Sequence, residues 1–334
     1  MKLRLDPWAV EYQSSFQANE SVSDTVDAVD LSVEREEEDW IPLKPINPAE
    51  PTALVFLDGS RRIEARVFLE DGGDEFVYGA LGSYGVGAVV SDLKIATYPD
   101  AFQVERICAL SGGQGYEDLS LPETGIHSLG DMRYRVVSTN ERDPDAVVRR
   151  LQAEMRDAEA QLAARLVTQY PNAFVICDGP RPLLASEPNL IGYIKSIHEL
   201  KIGDAQLEIV RKLEEGQRSP IYLLRSANPQ HQRFEWFLRL RDPNPWFFSL
   251  AGMVRLQALA GPNPDNTVEA AAAIADWSCS VLPHFATRQH QDPRAPQQLL
   301  PVRALEEELR RRMGNPELIR RRITRFLSTS SGVA

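Results

Sequence analysis

The chain has 334 residues, 43% of them hydrophobic and 25% charged, which excludes a disordered or fibrous protein and is enough for one elaborated α/β domain. Three widely spaced cysteines, Cys108, Cys177 and Cys279, give neither a zinc spacing nor a disulfide framework. With no signal-peptide core and no apolar run of membrane-spanning length, a cytoplasmic protein without a membrane partner is expected. The net charge of −11 argues against a uniformly basic nucleic-acid-binding protein, but the charge is uneven: residues 1–50 hold 12 acidic and 4 basic side chains, and residues 301–334 hold 8 arginines and 4 glutamates.

Residues 1–50 read as an acidic, Pro-rich N-terminal arm. The run EREEED (34–39) precedes IPLKPINPAEP, a composition that buries little by itself and favours a solvated arm, although Trp8 and Trp40 mark places where it could dock. One domain is expected over 51–334. TALVFLD is a short apolar strand that Gly59-Ser60 should end, and IEARVFLE alternates as a second, half-buried strand. A third β-rich stretch covers 76–93, its repeated glycines marking bulges or close backbone approach, and a fourth at about 102–109 runs into the loop SGGQGYED. The order reads as an antiparallel meander. Asp143-Pro144-Asp145 then starts a long helix, in which Val147, Leu151, Met155, Ala158, Leu162 and Leu166 recur at helical spacing. NAFVICDGP is a buried strand, parallel to the first because a helix leads into it. Further on, SEPNLIGYIKSIHEL reads as a helix, SPIYLLRS and FEWFLRLR as strands, and PWFFSLAGMVRLQAL as β-rich. TVEAAAAIADWSCSVL reads as an Ala-rich helix, ALEEELRRRM and PELIRRRITRF as two basic helices. Three antiparallel strands, a helix and a parallel strand make an RNase H-like mixed sheet flanked by helices, of the α/β class.

Two segments share one form. VFLDGS (55–60) and VICDGP (175–180) each deliver an Asp to the end of an apolar strand, followed by Gly. Neighbouring strands of this kind bring Asp58 and Asp178 together, a pair that repels unless a divalent cation joins it and makes a site for phosphoryl chemistry. Two such strands say more than one, because a single strand-end Asp-Gly is commonly a turn. A third ligand is expected on the helix between them. Glu159 fits best, with Glu154 as its rival and Glu105 a further candidate; a solvated helix face is the plain alternative. Lys195 is placed to meet a phosphate, with Arg225, Arg239 and Arg241 able to do similar work. His290, in the polar segment 288–302 with Asp292, Arg294 and Gln297, is a candidate general acid. Arg310–Arg312 and Arg320–Arg322 suit phosphate contact, and equally suit helix C-termini. A strand-end phosphatase would want a second Asp two residues after the first, where Ser60 and Pro180 stand.

Four stretches together resemble the NurA nuclease family: LDGSRR (57–62), CDGP (177–180), YIKS (193–196), and DPRAPQQLLPV (292–302) continued by LEEELRRRMGNPELIRRRI. The likeness covers about residues 50–330. It implies a homodimeric, Mn2+- (or Mg2+-) dependent DNA nuclease with an RNase H-like domain, working with a HerA-type hexameric ATPase in DNA end processing and double-strand break repair. Carried over by position, it implies Asp58 and Asp178 as metal ligands, with Glu159 as the helix ligand. The segment around His290 departs from the family pattern. The competing expectation is an inactive RNase H-like module that binds nucleic acid or a partner.

Overall fold

The computed structural model describes residues 2–5, 26–45, 53–70, 76–92, 94–99, 101–122, 130–183, 187–195, 200–242 and 247–330. The strands are β1 (Lys2–Leu5), β2 (Ala28–Asp30), β3 (Leu54–Glu70), β4 (Val77–Ser91), β5 (Ala96–Thr97), β6 (Gln103–Leu110), β7 (Leu119–Leu121) and β8 (Met132–Ser138), followed by helix α1 (Ala146–Gln169). Then come β9 (Val175–Asp178), β10 (Leu190–Ile194), α2 (Asp204–Arg211), β11 (Tyr222–Arg225), β12 (Arg233–Arg239), β13 (Met253–Leu259), α3 (Val268–Val281), α4 (Leu300–Arg312) and α5 (Pro316–Ser330). They form a mixed sheet flanked by helices, with the main strand order β2-β11-β12-β13-β10-β9-β3-β4-β6-β8-β7. β3, β4 and β6 pair antiparallel, and β9 lies parallel to both β3 and β10. β3, β4 and β6, then α1, then the parallel strand β9 keep the expected RNase H-like order, with β5, β7 and β8 inserted along the way.

Alternation along the strands sorts the core into two layers. Leu54 and Phe56 of β3 join Ile176 of β9 beneath α4, whose Val302, Leu305 and Leu309 close that face together with α3. Val55 and Leu57 join Val175 and Cys177 beneath α1, against Leu151, Met155 and Leu162. Asp58 continues the Phe56 series and Asp178 the Ile176 series. Both carboxylates therefore leave the sheet on the α4 face, Asp178 at the end of β9 and Asp58 within β3.

Three expectations are corrected. Gly59-Ser60 does not end the first strand: β3 is one strand of 17 residues, in which Gly59 pairs with Val86 and Ser60 with Gly85. The glycine serves close approach instead, since a Cβ there would stand 2.2 Å from Glu159 Oε1. The register slips between Ile63 and Ala65, and Glu64 turns inward to accept from Ser83 at 2.6 Å and from Arg62 at 3.0 Å. Second, the expected helix around LIGYI is strand β10, all five residues buried. A parallel strand covered on both faces shows no alternation, so its apolar run resembles a buried helix. Gly192 admits the backbone of Arg181, whose N would lie 2.4 Å from a Cβ. Residues 196–199 of that expectation lie outside the described residues.

Third, the acidic stretch is docked where it is described. β2 pairs antiparallel with β11, Leu43 bridges Arg218, and Trp40 is buried against Tyr222 with its indole N–H donating to Leu31 O at 2.9 Å. Glu34 holds the buried Arg218 in a two-pronged pair at 2.8 and 2.9 Å and also accepts the Ile221 N–H. Charge that looks solvated in the sequence is matched by a buried arginine. Trp8 lies outside the described residues.

Candidate metal centre

Asp58, Asp178 and Glu306 converge where β9 ends and its pairing with β3 stops. Each offers a carboxylate oxygen, and the three lie within 4.8 Å of one another. Asp58 and Glu306 are buried and Asp178 is half-buried. Asp58 Oδ1 accepts its neighbour's Gly59 N–H at 2.8 Å. Burial first, and then the charge of Asp178, push the Asp58 carboxyl well above the usual range, against an opposing pull from Lys195. Glu306 is also penalised by burial, but Arg294 forks onto both its oxygens at 2.8 Å and Gln298 donates to it at 3.1 Å, so its carboxyl is held below the ordinary value. Lys195 Nζ donates to Asp178 Oδ2 at 2.5 Å and also to Gln298 Oε1. Gln298 is fully buried and thus ties Lys195 to Glu306.

The donor set fits a hard divalent cation, which takes carboxylate oxygens. Lys195 supplies one positive charge beside Asp58 and Asp178, while Arg294 is shared between Glu306 and Asp292. With Glu159 adding its own charge to Asp58, this sheet end carries more carboxylates than cations among the described residues.

Glu159 lies on the other face of the sheet, beside the same stretch of β3. It sits on α1, whose apolar face packs on the opposite layer, and its carboxylate lies over Gly59. Burial, followed by the charge of Asp178, raises its pKa to about 8. It is not one of the three mutually close residues. Glu154 is engaged elsewhere, accepting from Arg135 at 2.6 Å and from Arg150. Glu105 is on β6, its oxygen 3.5 Å from Gln103. His290 is exposed in the segment before α4 and stands outside the carboxylate group. Among the arginines, Arg225 pairs with Asp30 at 2.7 Å, and buried Arg239 donates to the carbonyls of Leu213, Ala251, Arg211 and Ser249. Those two therefore hold structure. Arg311 and Arg312 pair with Glu308, and Arg312 also covers the Phe102 ring at 3.8 Å.

Sequence reasoning missed Glu306 and Gln298 as site residues, and named Arg294 only beside His290, without its role on Glu306. The signal was present: DPRAPQQLLPV and the following LEEE were singled out as a long stretch, but which acid of LEEE faces inward is settled only by the pitch of α4. That pitch buries Glu306 and leaves Glu307 exposed.

Gly59→Ala separates the two faces. Its Cβ would meet the flexible end of Glu159 first, then Met155 Cγ at 3.1 Å, so the fold should absorb it while the Glu159 carboxylate is displaced. Melting within a few degrees of wild type is expected in chelator, together with a smaller rise in melting temperature on adding Mn2+. A rise equal to that of wild type would remove Glu159 from the cation site.

Asp58 and Glu159 also set a pH dependence. Both hold protons in the folded chain that the unfolded chain releases, so the stability they contribute is present below the ordinary value, 4.5 for Glu159, and is lost as pH rises through about 8. Glu306 and Asp292, held low, lose their contribution only in more acidic solution. In chelator, the melting temperature should therefore decline between those two pH values, and Mg2+ or Mn2+ should flatten the decline. A rising curve in chelator would contradict the assignment.

No family model and no curated protein matches the chain. Among solved structures it is similar to the crystal structure of the NurA nuclease from Sulfolobus solfataricus, at 12% identity and a TM-score of 0.44, over 85% of this chain and 84% of that one. No helix among the described residues is long and apolar enough to cross a membrane.

Proposed function

We propose that the protein is a divalent-cation-dependent nuclease that hydrolyses DNA phosphodiester bonds. The observation that carries the reading is the convergence of Asp58, Asp178 and Glu306 within 4.8 Å, with burial that disfavours the negative charge of Asp58 unless a cation offsets it. These three residues would hold Mn2+ or Mg2+, and Glu159 would complete the carboxylate set from the α1 side. The cation, when bound, supplies Lewis-acid polarisation of a phosphoryl oxygen.

The chain's own residues do the rest. Asp58 and Asp178 would hold the cation from the two neighbouring strands. Arg294 and Gln298 lock the Glu306 carboxylate in one orientation. Lys195, half-buried and anchored on Asp178, is placed to meet the negative charge that grows on the phosphate. His290, exposed, serves as general acid only where the substrate reaches it. The sequence likeness to NurA nucleases supports a cytoplasmic homodimer that processes DNA ends beside a HerA-type hexameric ATPase. A chain with a net charge of −11 gains from a motor that delivers its substrate, because affinity for DNA comes mainly from phosphate neutralisation.

The inactive-module reading is favoured by one feature, the Lys195 ammonium already paired with Asp178. Cation titration decides between the two. A nuclease centre should show a rise in melting temperature that follows the logarithm of Mn2+ concentration above its Kd, with cleavage appearing over the same range. A melting temperature indifferent to Mn2+, with no cleavage, favours the inactive module.

A further inference from the structure

A cavity of about 400 Å³ opens beside the acidic cluster, with Phe247, Phe248, Pro296, Arg241, Arg288 and Arg294 among its lining. Phe248 is 62% exposed and Phe247 46%, an uncommon placement for two consecutive phenylalanines. The wall is shared with the carboxylate site. Arg294 lines the cavity and clamps Glu306, and Gln297 lines it and accepts the Tyr193 hydroxyl at 2.6 Å. The opposite side is tightly built. Gly252 has φ +79°, and a Cβ there would stand 2.4 Å from Arg241 O and 3.4 Å from Pro296 Cγ. Gly252 therefore has no room for a side chain, and the backbone of Arg241 passes close beside it.

Aromatic faces beside guanidinium groups are the chemistry that takes unpaired nucleobases: rings stack on the base, and arginines meet the adjoining phosphate. With Arg294 engaged by Glu306 and Asp292, Arg241 and Arg288 outnumber the single acid Asp242 of the lining and favour an anionic occupant, and the volume is of small-ligand size. Resting on the nuclease reading above, we propose that this cavity is a base-stacking subsite for an unpaired nucleotide of a DNA strand, seated on Phe248 and Phe247 with its phosphate toward Arg288 and Arg241. Arg294 then links the subsite to the cation centre. A strand held there is directed along the shared wall toward Asp58 and Asp178, so single strands and frayed ends are favoured over closed duplex.

The test uses the full-length protein and a short oligothymidylate carrying 2-aminopurine, whose fluorescence is quenched by stacking, in chelator so that no cleavage occurs. Wild type should quench the probe. Phe248→Ala should lose the quench and bind the strand roughly tenfold more weakly, within the range for one stacked base. Phe248→Trp should restore both, while a blunt duplex should bind with no sensitivity to either substitution. Because Phe248 is exposed, melting curves of the variants should overlay that of wild type. Quenching and affinity unchanged in both Phe248→Ala and Phe247→Ala would overturn the subsite, as would equal sensitivity of the duplex. A parallel Mn2+ cleavage assay separates the two levels. Cleavage by wild type without quenching overturns the subsite alone, and quenching without cleavage supports the subsite and overturns the nuclease reading.

Discussion

Asp58→Asn is expected to lower DNA cleavage by about a thousandfold or more and, in chelator, to raise the melting temperature. The loss follows from removing a carboxylate that would hold the cation: several kcal/mol of transition-state stabilisation disappear, and each 1.36 kcal/mol is about tenfold in rate. The gain follows from the apo site. Asp58 is buried among Asp178, Glu159 and Glu306, so its negative charge is unfavourable there, while the Asn side-chain oxygen still accepts the Gly59 N–H. A stabilisation of about 0.5–2 kcal/mol is the usual size for such relief, a few degrees in melting temperature for a chain of this length. Asp178→Asn should be equally inactive without the stabilisation, because Asp178 is the carboxylate to which Lys195 donates at 2.5 Å. Removing its charge leaves a half-buried ammonium with a neutral neighbour. The opposite stability signs of two equally inactive variants distinguish an active-site assignment from a general folding defect. Either variant with full activity would refute the assignment.

The largest expected effect on stability lies far from that site. Arg218→Ala should destabilise the protein by about 3–5 kcal/mol, the range for breaking a buried ion pair by removing one partner. Arg218 is 3% exposed. It donates to Glu34 through both terminal nitrogens and to Asp276 through Nε at 2.7 Å, and its backbone bridges Leu43. Alanine would strand Glu34 against the Ile221 N–H with no countercharge, and the docked acidic stretch would lose its hold. At roughly 2–4 °C per kcal/mol, the melting temperature should fall by about 10 °C. Arg225→Ala is the control: its pair with Asp30 is 48% and 32% exposed, and such pairs contribute about 1 kcal/mol or less. Similar melting for the two variants would show that residues 26–45 are not anchored through Arg218.

The legible part of the fold was the part with periodicity or punctuation. Helix α1 was visible because its apolar residues recur at helical spacing, and Asp143 caps it through the Ala146 N–H at 3.0 Å. The parallel placement of β9 beside β3 followed from the helix between them. β10 was hidden because a strand buried on both faces carries no alternation, and β3 was split in two because glycine in a strand looks the same whether it ends the strand or admits a neighbour. At the site, Asp58 and Asp178 were legible as acids that each close an apolar run before glycine, although Asp58 lies within β3 and only Asp178 ends its strand. Glu306 was not, since its role depends on α4 returning across some 120 residues of chain to the same sheet end. The docking of residues 26–45 was illegible for a related reason: Glu34 is one acid in a run of acids until Arg218 selects it.

A crystal soaked in Mn2+ and read by anomalous scattering should show a peak with oxygens of Asp58, Asp178 and Glu306 at about 2.0–2.1 Å, the distance for magnesium-like ions. Lys195 should be turned away from Asp178 or retained only on Gln298. A map with no peak at this sheet end, and Lys195 still bound to Asp178 at saturating Mn2+, would contradict the cation centre.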